Sequence, residues 1–175
     1  MSSQTRISRA YQTAHRIPFN DDSKIVLFSD CHRGDNSFAD EFANNRNIYF
    51  HALKYYYNEG YTYCELGDGD ELWENIDFKS VFEAHQNVFE LMRLFFNEGR
   101  LHRLVGNHDM VYRNQHFVEK HLFSYFDKVT GKDTPLFPGI TFSEGIVLEH
   151  EKTSQEIFML HGHQADWMNY CGWKF

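Results

Sequence analysis

Lys24-Ile25-Val26-Leu27-Phe28-Ser29-Asp30-Cys31-His32-Arg33-Gly34-Asp35 is the stretch on which the reading of this chain turns. The continuous apolar run at its start reads as a buried strand, and it stops at a polar stretch with neither helical nor strand periodicity. Downstream, Phe38 to Tyr57 is helical in pattern, with Phe42, Ile48, Tyr49, Ala52, Leu53 and Tyr56 near 3.6-residue spacing. Asn58-Glu59-Gly60 ends it, with Gly60 as the C-terminal cap. The cycle then repeats: Tyr61 to Leu66 is β-prone and closes at Gly67-Asp68-Gly69-Asp70, Asp77 to Asn97 is helical, and Asn97-Glu98-Gly99 stops it. A third strand, Leu101 to Val105, ends at Gly106-Asn107-His108-Asp109 and is followed by a helix over Gln115 to Phe126. After Pro135 and Pro138 the rhythm changes to Ile140-Thr141-Phe142, Ile146-Val147-Leu148 and Ile157-Phe158-Met159-Leu160, which predict a hairpin packed on the sheet. Upstream of the first strand, residues 1–23 are polar and read as a lead-in.

Strands alternating with helices define an α/β chain with a parallel sheet. In such sheets ligands sit just beyond the carboxyl ends of the strands. Four strand candidates end in metal-capable residues: Asp30 and His32, Asp68, Asn107 and His108, and His161 and His163. Connectivity alone predicts that they meet at one edge.

Composition bounds what the edge can do. The 175 residues are 42% hydrophobic and 24% charged, enough for one domain with a real core. Seventeen basic against 25 acidic residues leave a net charge of −8, a poor attractor for nucleic acid or anionic lipid. A bound metal can still invert the sign locally and admit a phosphate. Cys31, Cys64 and Cys171 form no CxxC pair, which points to a reducing, cytoplasmic compartment. No apolar run is long enough to span a bilayer, and no signal peptide is apparent.

Taken singly, Asp30-x-His32 and Gly67-Asp68 read as ordinary turns, and His161-Gly162-His163 as a polar strand end. Gly106-Asn107-His108-Asp109 is harder to explain that way, because it mixes Asn, His and Asp straight after an apolar run. In this order, each at a strand end, the four blocks resemble the calcineurin-like metallophosphoesterase superfamily over about Ile25 to Asp166. Leu66-Gly67-Asp68 with Trp73, and His161-Gly162, look most like the branch containing bacterial UDP-2,3-diacylglucosamine hydrolases.

The resemblance implies a four-layer αββα sandwich with a two-metal centre and a small phosphorylated substrate. Asp30 and His32 would hold one ion, Asn107 and His161 the other, with Asp68 bridging dications about 3.5–4 Å apart. A mixed N/O donor set suits Mn²⁺, Zn²⁺ or Fe, with Mn²⁺ preferred. A hydroxide between the ions would attack phosphorus, with His108 as acid for the leaving oxygen and Asp109 orienting its ring. Arg33 is a candidate phosphate clamp, or else a partner of Asp35. Asp70 and Glu71 read as supporting or helix-start carboxylates. Trp73, Trp167, Tyr170 and Trp173 read as core or substrate wall. Cys31 does not fit a cysteine phosphatase, because Ser37 stands where that loop needs Arg. His15, His51, His85, His102, His116, His121 and His150 have no partner pattern.

The superfamily's closing Gly-His-x-His is broken, since Gly162-His163-Gln164-Ala165 has Ala at its second His. Two registers are open. His161 is the isolated penultimate His, or His163 begins a degenerate closing motif; the His-Gly step after a strand favours the first. The first register predicts that later strands come from a C-terminal segment or a partner chain, so that residues 1–175 hold most of one domain. Two function classes follow: an active phosphoesterase, phosphodiesterase or pyrophosphatase, or a metal-binding module without turnover. The plainest alternative is an α/β domain whose polar strand ends are only turns.

Overall fold

A computed structural model describes residues 2–73 and 77–166, and it corrects the expected lead-in. Helix α1 (Ser3–Gln12) and strand β1 (His15–Phe19) are built into the fold. Ser2 caps α1 by accepting from the Thr5 N–H. β1 contains Pro18, which cannot donate to a ladder on both sides, and it accordingly lies at a sheet edge.

The βαβ units form as the pattern predicts, with shorter elements. They comprise β2 (Ile25–Phe28), α2 (Arg46–Asn58), β3 (Thr62–Glu65), α3 (Phe78–Ala84), α4 (Gln86–Asn97) and β4 (Leu101–Arg103). β2, β3 and β4 are neighbours in that order and all parallel. Gly60 and Gly99 follow α2 and α4 with φ of 77° and 69°, the left-handed stop expected of them. The helix expected over 38–57 begins only at Arg46, after a 3-10 turn (Glu41–Asn44) capped by Asp40. The helix expected over 77–97 is broken at His85. That break turns His85 inward, where its Nε2 lies 2.7 Å from the Asp40 carboxylate and ties the two crossovers together.

Next come α5 (Gln115–Leu122), β5 (Ser124–Asp127), β6 (Lys132–Pro135), β7 (Ile146–His150) and β8 (Glu156–Met159). The helix expected to reach Phe126 stops at Leu122, because Ser124 to Asp127 pairs antiparallel with β6. Ile140-Thr141-Phe142 carries no strand, whereas β7 and β8 make the predicted hairpin. β1 runs parallel to β7, giving a second sheet ordered β1-β7-β8.

Period-two alternation then sets the layers. Val26, Phe28 and Tyr63 face the core that includes Leu53 of α2 and Met92 and Phe95 of α4. Cys64, and Leu104 just past β4, face Ile146, Leu148 and Met159 of the second sheet. His15 and His102 stack across the same gap at 4.9 Å. Tyr11 of α1 meets Phe158 of β8 edge-on at 5.3 Å. Among the described residues no helix is long and apolar enough to cross a membrane.

Candidate metal centre

The loops after β2 and β3 run side by side, laced by backbone bonds from Asp30 to Gly67 O, His32 to Asp68 O and Arg33 to Gly69 O. Asp30, His32 and Asp68 take φ values of 54°, 49° and 50°, a left-handed conformation uncommon outside glycine that Asp and His adopt more readily than most residues, and that Asn36 and Ser154 share elsewhere. Strain of this kind persists where surrounding structure over-determines it, typically at functional sites. Glycine makes the convergence possible. A Cβ on Gly67 would lie 2.8 Å from the His161 ring, and one on Gly106 would lie 2.0 Å from the Asp68 carboxylate.

All four predicted strand ends therefore meet. His161 Nε2 is 3.1 Å from both Asp68 Oδ2 and Asn107 Oδ1. His32 Nε2 is 3.9 Å from Asp30 Oδ1 and 4.0 Å from Asp68 Oδ2. Two donor triads overlap, Asp30–Asp68–His161 and His32–Asp68–His108, each with ligand atoms within 4.8 Å of one another. Asp68 is common to both, as a bridging carboxylate must be. The expected pairs are also neighbours, Asp30 with His32 at 3.9 Å and Asn107 with His161 at 3.1 Å.

Of the two readings open for Glu71, the structure gives the supporting carboxylate and not the helix start. A single oxygen, Oε2, lies 3.0 Å from His32 Nδ1 and 2.7 Å from His108 Nδ1, and the two rings stand perpendicular at 4.5 Å. His161 Nδ1 lies 3.0 Å from the Leu66 carbonyl. These bonds fix one proton on Nδ1 of His32 and His161 and aim Nε2 at the carboxylates, where it donates as imidazolium or, once a cation takes the place of that proton, offers a lone pair. Burial pushes the Asp68 carboxyl up, but hydrogen bonds from His161 and the His108 N–H outweigh it and hold it below the usual range. The bond to Glu71 raises the His32 pKa, while burial lowers and Asp68 more strongly raises that of His161. The donors present fit a pair of divalent cations: carboxylates, an amide oxygen and neutral imidazoles with fixed tautomers.

Glu71→Gln keeps the shape of the side chain but removes the carboxylate shared by both imidazoles. Its Mn²⁺ affinity, measured by calorimetry, is expected to fall roughly 10- to 100-fold, the range for such supporting partners. An unchanged affinity would show that Glu71 does not orient these ligands.

Four other site expectations are corrected. Arg33 is fully buried and touches neither the cavity nor Asp35. It binds Glu65 through both Nη atoms at 2.7 and 2.8 Å, and Asp70 through Nε at 2.7 Å. Two buried carboxylates demand two guanidiniums, and Arg103 is the second, 2.6 Å from Glu65 and 2.7 Å from Asp70. Asp70 accordingly belongs to this quartet and not to a helix start. Asp109 does not orient His108. It is buried, accepts from the N–H groups of Gly69 and Gly106, and burial pushes its carboxyl up to about 7. His163 lies outside both triads, 3.1 Å from an Arg113 nitrogen and 3.7 Å from Glu144.

Trp73 is not core. It is 49% exposed, with its ring 5.5 Å from that of His108. Trp167, Tyr170 and Trp173 lie outside the described residues. Burial pushes the Cys31 thiol up to about 12, which disfavours the thiolate a nucleophile needs. Beside the centre opens a cavity of about 430 Å³ lined by His32, Gly34, Ala39, Asp40, Glu41, Glu71 and His108. Comparison with known protein families, with curated proteins and with solved structures finds no match.

Proposed function

We propose that this chain is a dinuclear metal-dependent hydrolase of phosphoester or pyrophosphate bonds in a small-molecule substrate, on a metallophosphoesterase-type αββα sandwich. One observation carries the reading. Asp68 Oδ2, Asn107 Oδ1 and the His161 Nε2 lone pair converge at 3.1 Å, an arrangement that only a cation or a captured proton relieves. His32 Nε2 lies 3.9 Å from Asp30 Oδ1 and 4.0 Å from the same Asp68 Oδ2, so one carboxylate serves both sets of donors.

When bound, divalent ions of the Mn²⁺, Zn²⁺ or Fe type supply Lewis acidity and lower the pKa of water for attack on phosphorus. The chain's own residues do the rest. Asp30, His32, Asp68, Asn107 and His161 hold the ions. Glu71 accepts from His108 Nδ1–H, and in the imidazolium form His108 carries a second proton, on Nε2, that passes to the leaving oxygen and leaves the neutral Nδ1–H imidazole behind. Arg33 is buried in its quartet and does not reach the substrate, whose negative charge would meet the ions and His108. A net charge of −8 supports a small substrate over nucleic acid, and the free thiols of Cys31 and Cys64 suit a cytoplasmic setting.

The position of His163 favours a second reading, a metal-binding module without turnover, because that imidazole adds nothing to either triad. Metal analysis together with aryl monoester, aryl diester and dinucleotide pyrophosphate substrates separates the two. Two ions per chain with Mn²⁺-dependent turnover supports the hydrolase. Bound metal without turnover supports the module, and no bound metal overturns both.

A further inference from the structure

A second cavity, of about 260 Å³, opens between α3, α5 and β5 and shares no lining residue with the metal centre. Its aromatic lining is Phe78, Phe82, Tyr125 and Phe126, with Phe82 and Tyr125 in ring contact at 4.7 Å. Phe126 is 61% exposed beside it, on a strand where the alternate residue Tyr125 is half-buried. An apolar cavity of about 150 Å³ already holds benzene, so this one accommodates a body of two fused rings.

Three lysines line the same cavity, Lys79, Lys120 and Lys128, in a chain whose net charge is −8. Lys128 is paired with Glu83 at 3.0 Å. Lys79 and Lys120 have no ion pair among the described residues. Lys120, in the last turn of α5, suits the helix dipole. Lys79 does not: it lies in the first turn of α3, where a cation opposes the dipole. Its charge is shared with the Asp77 cap carboxylate, and Glu83, the partner of Lys128, is the one acid that lines the cavity with the three lysines.

We propose that this cavity is a binding site for a small aromatic anion, its ring system on Phe82, Tyr125 and Phe126 and its carboxylate, sulfonate or phosphate on Lys79 and Lys120. An apolar pocket with a few convergent polar groups is the usual form of such a site. Here the aromatic faces select a flat body and the two ammonium groups select its charge.

The probe is 1-anilinonaphthalene-8-sulfonate, titrated by fluorescence, with uncharged N-phenyl-1-naphthylamine as control. One equivalent of the sulfonate is expected to bind. Lys79→Gln/Lys120→Gln is expected to weaken it at least about tenfold, two exposed charge-assisted contacts acting together, with affinity for the neutral amine and the melting temperature unchanged. Phe126→Ala weakens both probes, and Asp68→Asn alters neither. Failure to bind, equal affinity in the double lysine variant, or loss of the sulfonate in Asp68→Asn each overturns the proposal. None of these readouts depends on hydrolysis.

Discussion

Asp68→Asn is expected to reduce metal-dependent phosphoester turnover by on the order of 10³-fold, about 4 kcal/mol at 1.36 kcal/mol per decade, while the protein stays folded. Asp68 is the only donor common to both triads, so neutralising it removes charge from both cation positions together. The fold is preserved for a geometric reason. The amide oxygen of Asn can still accept from the His108 N–H, now 2.8 Å from Asp68 Oδ1. The amide nitrogen then donates to His161 Nε2, which already lies 3.1 Å from Asp68 Oδ2. A substituted chain that melts like the parent, binds fewer ions and turns over slowly is the expected result. Parental turnover with unchanged metal content would remove Asp68 from the chemistry and with it the two-metal reading.

Glu65→Gln is expected to lower the free energy of unfolding by about 3–5 kcal/mol, the usual consequence of leaving a buried charge without its partner. Glu65 is 1% exposed and accepts from both Nη atoms of Arg33, from Arg103 Nε and from the Tyr63 hydroxyl. The amide can satisfy some of those donors but cannot balance two guanidiniums with Asp70 alone. Urea denaturation provides the measurement. A loss below about 1 kcal/mol, the scale of an exposed pair, would show that the quartet is not held by charge.

The pH dependence has a definite sign. Burial raises the Glu65 and Asp70 carboxyls, but the neighbouring guanidiniums dominate and hold both below their ordinary values. Their contribution is therefore complete above the ordinary carboxylate range and is lost as pH falls through the depressed folded values.

Much of the centre was legible because its ligands sit at strand ends, and strand ends are marked where apolar runs stop. Asp30, His32, Asp68, Asn107, His108 and His161 are read that way as meeting at one sheet edge, and the fold brings them together there. Glu71 was legible only as a supporting or helix-start carboxylate: it lies on an irregular segment, and the fold alone brings it to two imidazoles from different loops. Arg33 was misread because an Arg beside candidate ligands looks like a phosphate clamp. The clue against it was Glu65, a charge inside an apolar strand, directly opposite Arg103 in the β3–β4 register. Single-sequence periodicity also hid α1 and β1, whose ladder partner is a strand far along the chain. It likewise ran one helix through His85, where a tertiary bond to Asp40 overrides local propensity.

The pairing of His15 with Ile146 has a consequence in time. The β2-β3-β4 sheet is assembled from neighbouring stretches and needs only modest loop closures, whereas β1 must wait for β7. Three of the four ligand blocks therefore belong to the part of the chain that closes early. His161 follows β8 and arrives only with the late hairpin. On the proposed two-metal reading, high-affinity metal capture is therefore expected to follow docking of the β7–β8 hairpin and not to precede it.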